Sequence, residues 1–381
     1  MGISKVHALG RNQKFFVADE STAGTFVKPV ATDAVKVLSS QFDLQIERRN
    51  RMDARASRSV LERITGKGSV AWQMTKYVIP SGTAGTPPDD HLLLYAALGT
   101  YANVASTSDT YSPSSSQTLR TFSLTRHFNE VLQEAIWGAW LNSLTINAAG
   151  GDEPKITYEG GAMGHAHTGT STLNGAMSAS TTMVVATADG RNFNVNSVVK
   201  IDTSDNSGAG FKITADAQPS FTIEAAATEA NADPVVPFVP SETTAGNPIT
   251  GIAGSLTIDA VTVPITAFDI TIANNLKPLA DEAQQQYPTD VIPGFRDVTG
   301  NVSFRARKDF IIELGKRKAF AARDIQVILG SAAGKKCTIN VDFAEFIFAA
   351  LEVPEADEAI VKLPFVAVGS AGEDEVGVVF T

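Results

Sequence analysis

The sequence is poor in cysteine, in cationic charge and in long apolar runs. Its one cysteine, Cys337, excludes a disulfide framework and any zinc site built from several cysteines. Cys337 lies in KKCTINVDF, whose alternation is typical of a strand, and we interpret it as a small buried side chain. The longest apolar stretches, such as LLLYAALG from Leu92, are too short to cross a bilayer as a helix, so we expect no membrane insertion.

Cationic residues are fewer than anionic ones. The sequence has 31 Lys and Arg residues and 41 Asp and Glu residues, which gives a net charge of −10. Tight wrapping of nucleic acid depends on cations that neutralise phosphates, so the composition argues against that class of protein. It does not exclude a surface past which DNA slides. The first residues, MGISKVHALGRNQKFF, lack the apolar run of an export signal, so we expect synthesis in the cytoplasm.

Patterns typical of catalysis and metal binding are also missing. His165 and His167 in GHAHTG stand two apart, which would put both on one face of a strand, but no third ligand accompanies them and the surrounding sequence is typical of a solvent-exposed loop. The sequence contains no G-x-S-x-G elbow, no H-E-x-x-H and no C-x-x-C. We therefore expect no enzymatic activity, no cofactor and no metal.

What the sequence does contain is a series of short strands separated by turns. QFDLQIE alternates apolar and polar residues as a half-buried strand does, and GKGSVAWQM resumes a strand after an intervening loop. PPDDHLLLYAALGTY predicts a short helix that Asp89 or Asp90 caps and Gly99 ends. The fold class that this pattern indicates is mainly β.

Five segments recur in the same order near the two ends of the chain. FDLQIER is echoed by FDITIAN, ITGKGSVAW by VTGNVSFRA, and RTFSLTRHF by RDIQVILG, while RKDFIIELGKRKAF takes the place of the DHLLLYAALGTY helix. The fifth pair is WLNSLTINAAGGDEPKITYEGG and FAALEVPEADEAIVKLPFVAVG. We predict a duplicated lobe. The predicted boundaries are 1–165 for the first lobe with an N-terminal arm, 166–250 for a small inserted all-β module, and 251–381 for the second lobe.

A long loop of each lobe carries charge of one sign. Six arginines lie between the first two predicted strands: Arg48, Arg49, Arg51, Arg55, Arg58 and Arg63. The matching loop of the second lobe, Asn274–Val298, is acidic through Asp281, Glu282, Asp290 and Asp297. We predict that the two loops lie on opposite sides of the molecule and pair in head-to-tail self-association. A nucleic-acid arm, which would lack interleaved aromatics, and two merely solvated loops are the alternatives.

All three tryptophans lie in predicted strands of the first lobe. Trp137 and Trp140 stand three apart in AIWGAWLNS, and Trp72 ends ITGKGSVAW. Large aromatic side chains dominate packing at cores and interfaces, so we predict that these three anchor a boundary between lobes or subunits.

The order of these segments resembles a known family. GTFVKP, DLQIERRNRMDARASRSVLERITGKGSVAW, DDHLLLYAALGTY and LRTFSLTRHFNEVLQEAIWGAWLNSLTINAAGGDEPKITYEGG follow one another as in the major tail tube proteins of long-tailed, non-contractile (siphovirus-type) bacteriophages. ITGIAGSLTID and FDITIANNL add to the resemblance, which covers nearly the whole chain.

The resemblance implies two tail-tube-like β-sandwich or half-barrel lobes, each with a flanking helix, whose strands join those of neighbours around a lumen. Three copies would form a ring with pseudo-sixfold symmetry, with six copies as the alternative. Stacked rings would form the tail tube of the virion, which conducts double-stranded DNA without binding it tightly. The implied partners are further copies of the chain and the tape-measure, tail terminator and tail-tip proteins.

Within that picture, the arginine-rich and acidic loops are candidates for contacts between rings, and the inserted module would decorate the outside. Polar strand positions are candidates for the lumen: Asp43, Gln45, Asp269 and Thr271. Two alternatives stay open at this point. One is a tail-tip or baseplate hub ring of the same fold, and the other is a β-rich surface adhesion protein, which should carry an export signal.

Overall fold

The computed structural model describes residues 7–51, 59, 63–116, 118–149, 151–250, 254–279, 286–306, 322–347, 350–352 and 359–381. Across these residues the chain is mainly β, with a single α-helix in the described part, so the predicted fold class is confirmed. Two lobes and an inserted module make up this architecture.

The first lobe contains ten strands and the helix α1. Its elements are β1 Gln13–Asp19, β2 Ala34–Val35, β3 Ser39–Asn50, β4 Arg63–Tyr77, α1 His91–Leu98, β5 Gly99–Val104, β6 Ser108–Pro113, β7 Phe122–Phe128, β8 Leu132–Ala149, β9 Lys155–Ala162 and β10 Gly164–Thr168. The long strand β8 belongs to two layers. Its first half pairs with β7 and β10, and its second half pairs with β9.

The inserted module forms a separate six-stranded sheet with its own apolar core. Its strands are β11 Ser171–Thr172, β12 Met177–Val184, β13 Val198–Ile201, β14 Phe211–Ala217, β15 Ser220–Glu229 and β16 Pro234–Pro237. Phe193 and Phe221 pack edge to face in this core, with Val199 and Ile213 beside them. The predicted boundaries of the three parts stay a prediction, but the module's strands fall inside 166–250.

The second lobe contains eleven described strands. They are β17 Gly254–Ile258, β18 Val261–Val263, β19 Ile265–Ala273, β20 Lys277–Leu279, β21 Asp290–Ile292, β22 Asp297–Arg305, β23 Arg323–Leu329, β24 Cys337–Phe346, β25 Ala350–Glu352, β26 Ile360–Ala367 and β27 Gly377–Phe380. The segment that matches the first lobe's helix in sequence, RKDFIIELGKRKAF, lies wholly outside the described residues.

The two lobes connect their strands in the same order. In the first lobe the inner layer runs β3, β4, β9, β8, and in the second it runs β19, β22, β26 and then β24 with β25. The outer layers also match, because β1, β7 and β8 pair as β17, β23 and β24 do. The sequence echoes therefore correspond to equivalent strands of two similar sandwiches.

The lobes share one sheet and one core. Strand β8 of the first lobe pairs with β19 of the second, so eight inner strands run without a break from β3 to β24–β25. On the outside, β6 of the first lobe pairs with β27 of the second. Apolar side chains from both lobes, including Phe42, Leu144, Phe268 and Phe365, belong to one continuous cluster.

Helix α1 begins after Asp90 and ends at Gly99, as the sequence predicts. Gly99 takes the left-handed conformation at φ 105° and donates its N–H to the Tyr95 carbonyl, which is the usual glycine C-cap. Asp90 occupies the N-cap position, but its side chain caps no backbone N–H. Its carboxylate is used inside the core instead.

Candidate assembly surfaces of the shared sheet

The junction of the two lobes lies between β8 and β19. Seven residues of each strand are paired, from Ala149 opposite Ala267 to Ser143 opposite Ala273. On the core side, Leu144, Ile146, Ile270 and Ile272 are at most 1% exposed. The junction is thus sealed both by backbone pairing and by apolar packing.

The edge at β3 is the counterpart of β19, but it is open. Phe42 stands opposite Trp72 as Phe268 stands opposite Val302, which aligns Leu44 with Ile270. Leu44 is 38% exposed whereas Ile270 is 0% exposed. Among the described residues, β3 is paired on one side only, with β4. An unpaired strand edge with uncovered apolar side chains is a template for a further strand.

The opposite edge of the sheet lies at the end of β24 and at β25. Both pair with β26 on one side, through Phe346 opposite Phe365 and Leu351 opposite Val361. From Phe346 to Ala350 the chain advances four positions while β26 advances three, so one extra residue lies between the two pairings. β8 has a register shift at the matching place, between Leu141 and Ser143. Ile347 is 55% exposed there. This edge is the counterpart of the β8 edge that receives β19.

The four predicted lumen residues all lie on the face of the sheet away from the core. Asp43 and Gln45 alternate with buried Phe42, and Asp269 and Thr271 alternate with buried Ile270. Gln45 Nε2 donates to Asp43 Oδ2 at 2.8 Å, and Asn301 Nδ2 donates to Asp269 Oδ2 at 2.9 Å. The lumen assignment stays a prediction, but the structure brings these residues onto one polar face.

A row of threonines crosses this face and was missed by sequence reasoning. Five threonines stand opposite one another on consecutive strands β4, β9, β8, β19 and β22: Thr75, Thr157, Thr145, Thr271 and Thr299. The hydroxyls of Thr75 and Thr157 are 3.1 Å apart, and those of Thr145 and Thr271 are 2.9 Å apart. The row became visible only once the register was known, because its members come from distant segments.

The described ends of the arginine-rich segment belong to a projecting hairpin, in which β3 and β4 pair as far as Asn50 opposite Arg63. β4 pairs with β9 only from Val70 onward, so its first seven residues, Arg63 to Ser69, extend beyond the rest of the inner sheet by about 20 Å at about 3.3 Å per residue. Arg48 and Arg51 are exposed on this hairpin. Arg49 pairs with Glu47 at 2.7 Å, and Arg63 Nε donates to Asn50 Oδ1 at 3.2 Å. Arg55 and Arg58 lie outside the described residues.

The acidic loop leaves the same end of the sheet, not the opposite end. Asp297 stands opposite Ala273, and Ala273 stands opposite Ser143 at the end of the β8–β19 junction that is far from the β8–β9 turn. Tyr77, at the other end of β4 from Arg63, stands opposite Lys155 beside that turn. The expectation of opposite sides was therefore wrong. Equivalent loops of two copies of one fold leave equivalent strand ends.

The described part of the acidic loop folds back onto the first lobe. Gly68 donates its N–H to the Gln286 carbonyl at 2.7 Å, and a side chain on Gly68 would meet the Tyr287 ring. Arg296 donates to the Leu98 and Ser114 carbonyls and pairs with Glu375 at 2.9 Å. Asp290 and Asp297 lie near these contacts in sequence, whereas Asp281 and Glu282 lie outside the described residues.

Two of the three predicted tryptophan anchors are buried inside the first lobe. Trp72 is 3% exposed and Trp140 is 6% exposed. Trp72 Nε1 donates to the Trp140 and Gly161 carbonyls, and the Trp72 ring packs edge to face on Phe122. They have almost no surface left for another subunit. Trp137 is half-buried and packs against Phe26, whose cluster includes Val198 of the module.

A buried ion pair in the first lobe also escaped sequence reasoning. Lys76 Nζ lies 2.8 Å from Asp90 Oδ1, with side-chain exposures of 1% and 4%, and Tyr158 donates to Asp90 Oδ2 at 2.5 Å. Burial, with the Asp90 charge beside it, raises the pKa of the Tyr158 hydroxyl well above its usual value. The ion pair fastens the start of α1 to β4 and β9. The counterpart of Lys76 in the second lobe is Ala306, because Trp72 aligns with Val302.

The histidines of the first lobe fit structural positions. His167 Nε2 lies 3.0 Å from the Arg191 carbonyl, and His165 Nε2 lies 4.0 Å from Glu134. His127 is fully buried, and this burial lowers its pKa to about 3. Within the described residues there is no group of three side chains suited to hold a metal ion, and no helix long and apolar enough to span a membrane.

A family model described as phage tail tube protein matches residues 199–367, from β13 of the module to the end of β26. The match confirms the resemblance to tail tube proteins over this part of the chain, and it supports a structural role in a phage tail. No curated protein matches the chain significantly.

Proposed function

We propose that this chain, whose residues 199–367 match the phage tail tube protein family, polymerises into stacked rings. The rings form the tube through which double-stranded DNA leaves the capsid. The observation that carries the proposal is the contrast between a sealed junction inside the chain and two inner-sheet strands, β3 and β25, that pair on one side only among the described residues. A structural role also fits the lack of a catalytic constellation in the sequence.

Ring closure repeats the β8–β19 pairing between copies. Because β3 is equivalent to β19, and β24 with β25 is equivalent to the second half of β8, the edge at β3 of one copy pairs with the edge at β25 of the next. The register of the internal junction, carried over, puts Ile46 opposite Leu351. Ile46 is half-buried and in phase with buried Phe42 on its strand, and the backbone of Leu351 stands opposite that of Val361. Closure pairs both of these edges of the inner sheet.

Three copies fit a DNA conduit better than six. Each chain contributes eight inner strands, so three copies give about 24 strands, and at about 4.8 Å per strand the backbone circle is about 37 Å across before strand tilt widens it. Side chains narrow this circle towards the diameter of a duplex, about 20 Å. Six copies would double the circle to about 73 Å, far wider than one duplex needs.

The polar face suits a surface past which DNA slides. The threonine row offers uncharged hydroxyls, and the carboxylates of Asp43, Glu159, Asp269 and Asp297 offset the cations of Lys155, Arg305 and Lys362 on the same face. A neutral or acidic lining does not neutralise phosphates, so it lacks the counterion release that drives tight binding. We assign this face to the lumen and the inserted module to the outside of the tube.

Assembly of a complete tail requires partners beyond the chain itself. We propose tape-measure, tail terminator and tail-tip proteins as those partners, on the strength of the tail tube family. Synthesis in the host cytoplasm and final location in the virion tail follow from the same assignment.

Negative-stain electron microscopy of the purified protein at rising concentration tests the proposal, together with native mass spectrometry of the smallest ring. We expect long hollow tubes and rings of three chains. Closed rings that never stack would favour a tail-tip or hub ring instead. Monomers at every concentration, or a ring of six chains, would contradict the proposal as stated.

A further inference from the structure

Strands β10 and β27 are counterparts in the outer layers of the two lobes. Each comes next in the chain after an inner strand, β10 after β9 and β27 after β26. Each pairs with the early part of its lobe's long strand, β10 with β8 and β27 with β24. Each therefore has a far edge, which faces away from that long strand. The two far edges are covered by different parts of the chain.

The far edge of β27 is covered by the other lobe. Residues 378–380 pair with residues 109–111 of β6, and the Tyr111 ring packs edge to face on Phe380. β6 belongs to the β5–β6 hairpin, which the first lobe forms directly after α1. This hairpin is thus a second contact between the lobes, in addition to the β8–β19 junction.

The far edge of β10 is covered by the inserted module. The His167 N–H donates to Asn194 Oδ1 at 3.2 Å, and Ser197 Oγ donates to the His167 carbonyl at 3.0 Å. The Gly169 N–H, just past the end of β10, donates to the Asn192 carbonyl at 2.7 Å. At β10 the module therefore takes the place that β6 takes at β27.

The module is held firmly in this place by further contacts with the first lobe. Lys212 Nζ of the module donates to the Phe26 carbonyl at 3.3 Å, and its ammonium group lies over the Phe26 ring. Lys28 of the first lobe forms an ion pair with Glu224 of the module. The position of the module relative to β10 is thus a built feature of the folded chain.

The β10 edge lies at the junction between chains in the proposed ring. Ring closure places the second lobe of one copy before the first lobe of the next, as the first lobe precedes the second within a chain. A hairpin of that second lobe would then cover the neighbour's β10, as β6 covers β27. Residues 306–322, between β22 and β23, are fewer than residues 91–113, which form α1 and the β5–β6 hairpin. They are too few to supply both a helix and a hairpin.

We propose that the inserted module replaces the missing hairpin and binds the neighbouring copy within the ring. Its docking segment, residues 191–197, contacts the outer layer of the second lobe of the copy whose β25 edge receives β3. The partner is a second copy of this chain. This inference rests on the proposed function, because only ring closure brings that second lobe beside β10.

The exposed side chains of the docking segment suit such a contact. In the module, all of whose residues are described, Val195 is the one exposed large apolar side chain, at 40%. Exposed Arg191 lies beside it on the same segment. An apolar centre with arginine at its border is typical of protein interfaces.

Site-specific photocross-linking tests which surface the docking segment touches. Val195 is replaced by the photoreactive p-benzoylphenylalanine, and the variant is assembled into rings with excess wild-type chain. After irradiation, mass spectrometry of digested rings should show links from position 195 to the second lobe of another copy. Thr181, replaced in the same way, is the matched control. It is exposed on β12, three strands away from β13 in the module's sheet, and should give no link between chains.

A lysine substitution gives a second readout. Val195→Lys should raise the protein concentration needed for ring formation about tenfold, because the contact would bury part of a charged side chain. Thr181→Lys should leave that concentration within about twofold of the wild type. Both side chains are exposed, so urea unfolding of either variant should match the wild type. Native mass spectrometry at rising protein concentration measures the rings.

The outcomes separate the two claims. Links from position 195 to the second lobe of another copy, with none from position 181, support the docking segment. Rings that give no such link, or links from position 195 only to a first lobe, overturn the docking segment and leave the ring proposal standing. Rings of Val195→Lys at wild-type concentration do the same. A wild-type protein that forms neither rings nor tubes overturns the ring proposal, and the docking segment with it.

Discussion

Two strands of this protein, β3 and β19, occupy the same place in two similar lobes, yet one is uncovered and the other is sealed. Leu44 on β3 is 38% exposed and its counterpart Ile270 on β19 is 0% exposed. The difference is not in residue type, since both are large aliphatic side chains. It comes from the presence of a neighbouring strand, which β19 finds in its own chain.

If the proposed ring forms, the β8–β19 junction inside one chain is an example of the contact that β3 and β25 would make between copies. An isolated copy leaves apolar surface and backbone groups of two strand edges to water, which is unfavourable for a strand that can pair. The internal junction shows what arrangement removes that cost. The following predictions test how far the two lobes are equivalent.

The largest difference is expected between Ile270→Lys and Leu44→Lys. A lysine at Ile270 places an unpaired charge in the shared core, and its desolvation costs several kcal/mol, about the whole stability of many domains. We expect no folded protein. A lysine at Leu44 keeps its ammonium group in water, so the isolated chain should fold with a loss below about 1 kcal/mol but form no rings.

Circular dichroism with urea unfolding measures the folding of both variants, and electron microscopy measures rings. Val104→Lys is the matched control for Leu44→Lys, because Val104 is 55% exposed on β5, away from both inner edges. Rings from Leu44→Lys at wild-type yield would refute the role of the β3 edge.

The second prediction concerns the core of the first lobe, where Lys76 and Asp90 form the buried ion pair. Asp90→Ala leaves the Lys76 ammonium buried without its partner and should destabilise the chain by about 3–5 kcal/mol. The reverse test is Lys76→Met with Asp90→Leu, which removes both charges together and should cost much less than the single change. Urea unfolding of all three variants measures the difference. Equal losses for the single and double variants would argue against a dominant penalty from the unpaired charge.

An effect that is absent at neutral pH and confined to low pH is expected from His127. β7 is buried on both faces at Ser123, Leu124 and Thr125, whereas β23, its counterpart, alternates between buried and half-buried residues. Burial lowers the pKa of His127 from 6.5 to about 3. The unfolded chain then binds one more proton, so stability falls by about 1.4 kcal/mol per pH unit as pH drops from about 6.5 towards 3.

His127→Gln should lower the slope of the free energy of unfolding against pH by the contribution of one proton below about pH 6.5. The slope above pH 7 should stay unchanged. Urea unfolding between pH 4 and pH 8 gives the slopes directly. An unaltered slope below about pH 6 in the variant would show that His127 is protonated in the folded protein as readily as in the unfolded chain.

Local sequence pattern predicted the strands and the helix because alternation and capping are properties of neighbouring residues. QFDLQIE became part of β3, and Gly99 ends α1 as expected. The order of echoed segments also predicted the equivalence of β7 with β23 and of β9 with β26. These features depend on residues a few positions apart, or on order alone.

The features that sequence reasoning missed all depend on register between distant strands. Asp89 or Asp90 was predicted to cap the helix, but the Asp90 carboxylate contacts Lys76 and Tyr158, which come from two different strands. Trp72 and Trp140 were assigned to a boundary, yet cross-strand packing buries them within one lobe. The sign of the charge on each long loop is visible in the sequence. The relative position of the two loops depends on the direction of each strand in the folded sheet, which local pattern does not give.

The smallest effect is expected at Asp43 and Asp269, the equivalent acidic positions on the polar face. Asp43 accepts from Gln45 on its own strand, whereas Asp269 accepts from Asn301 across the strand pair. Both are half-buried rather than buried, so Asp43→Asn and Asp269→Asn should each change the free energy of unfolding by less than about 0.5 kcal/mol. Their effect should appear in the proposed tube instead, because we assign this face of both lobes to its lumen. Tubes carrying Asp43→Lys with Asp269→Lys should retain short duplex DNA at low salt and release it as salt rises, because each added cation releases counterions from the duplex.

Wild-type tubes are the reference, and fluorescence of a labelled duplex co-sedimenting with tubes measures retention. Identical retention by both tubes across the salt range would mean that this face does not line the path of the DNA.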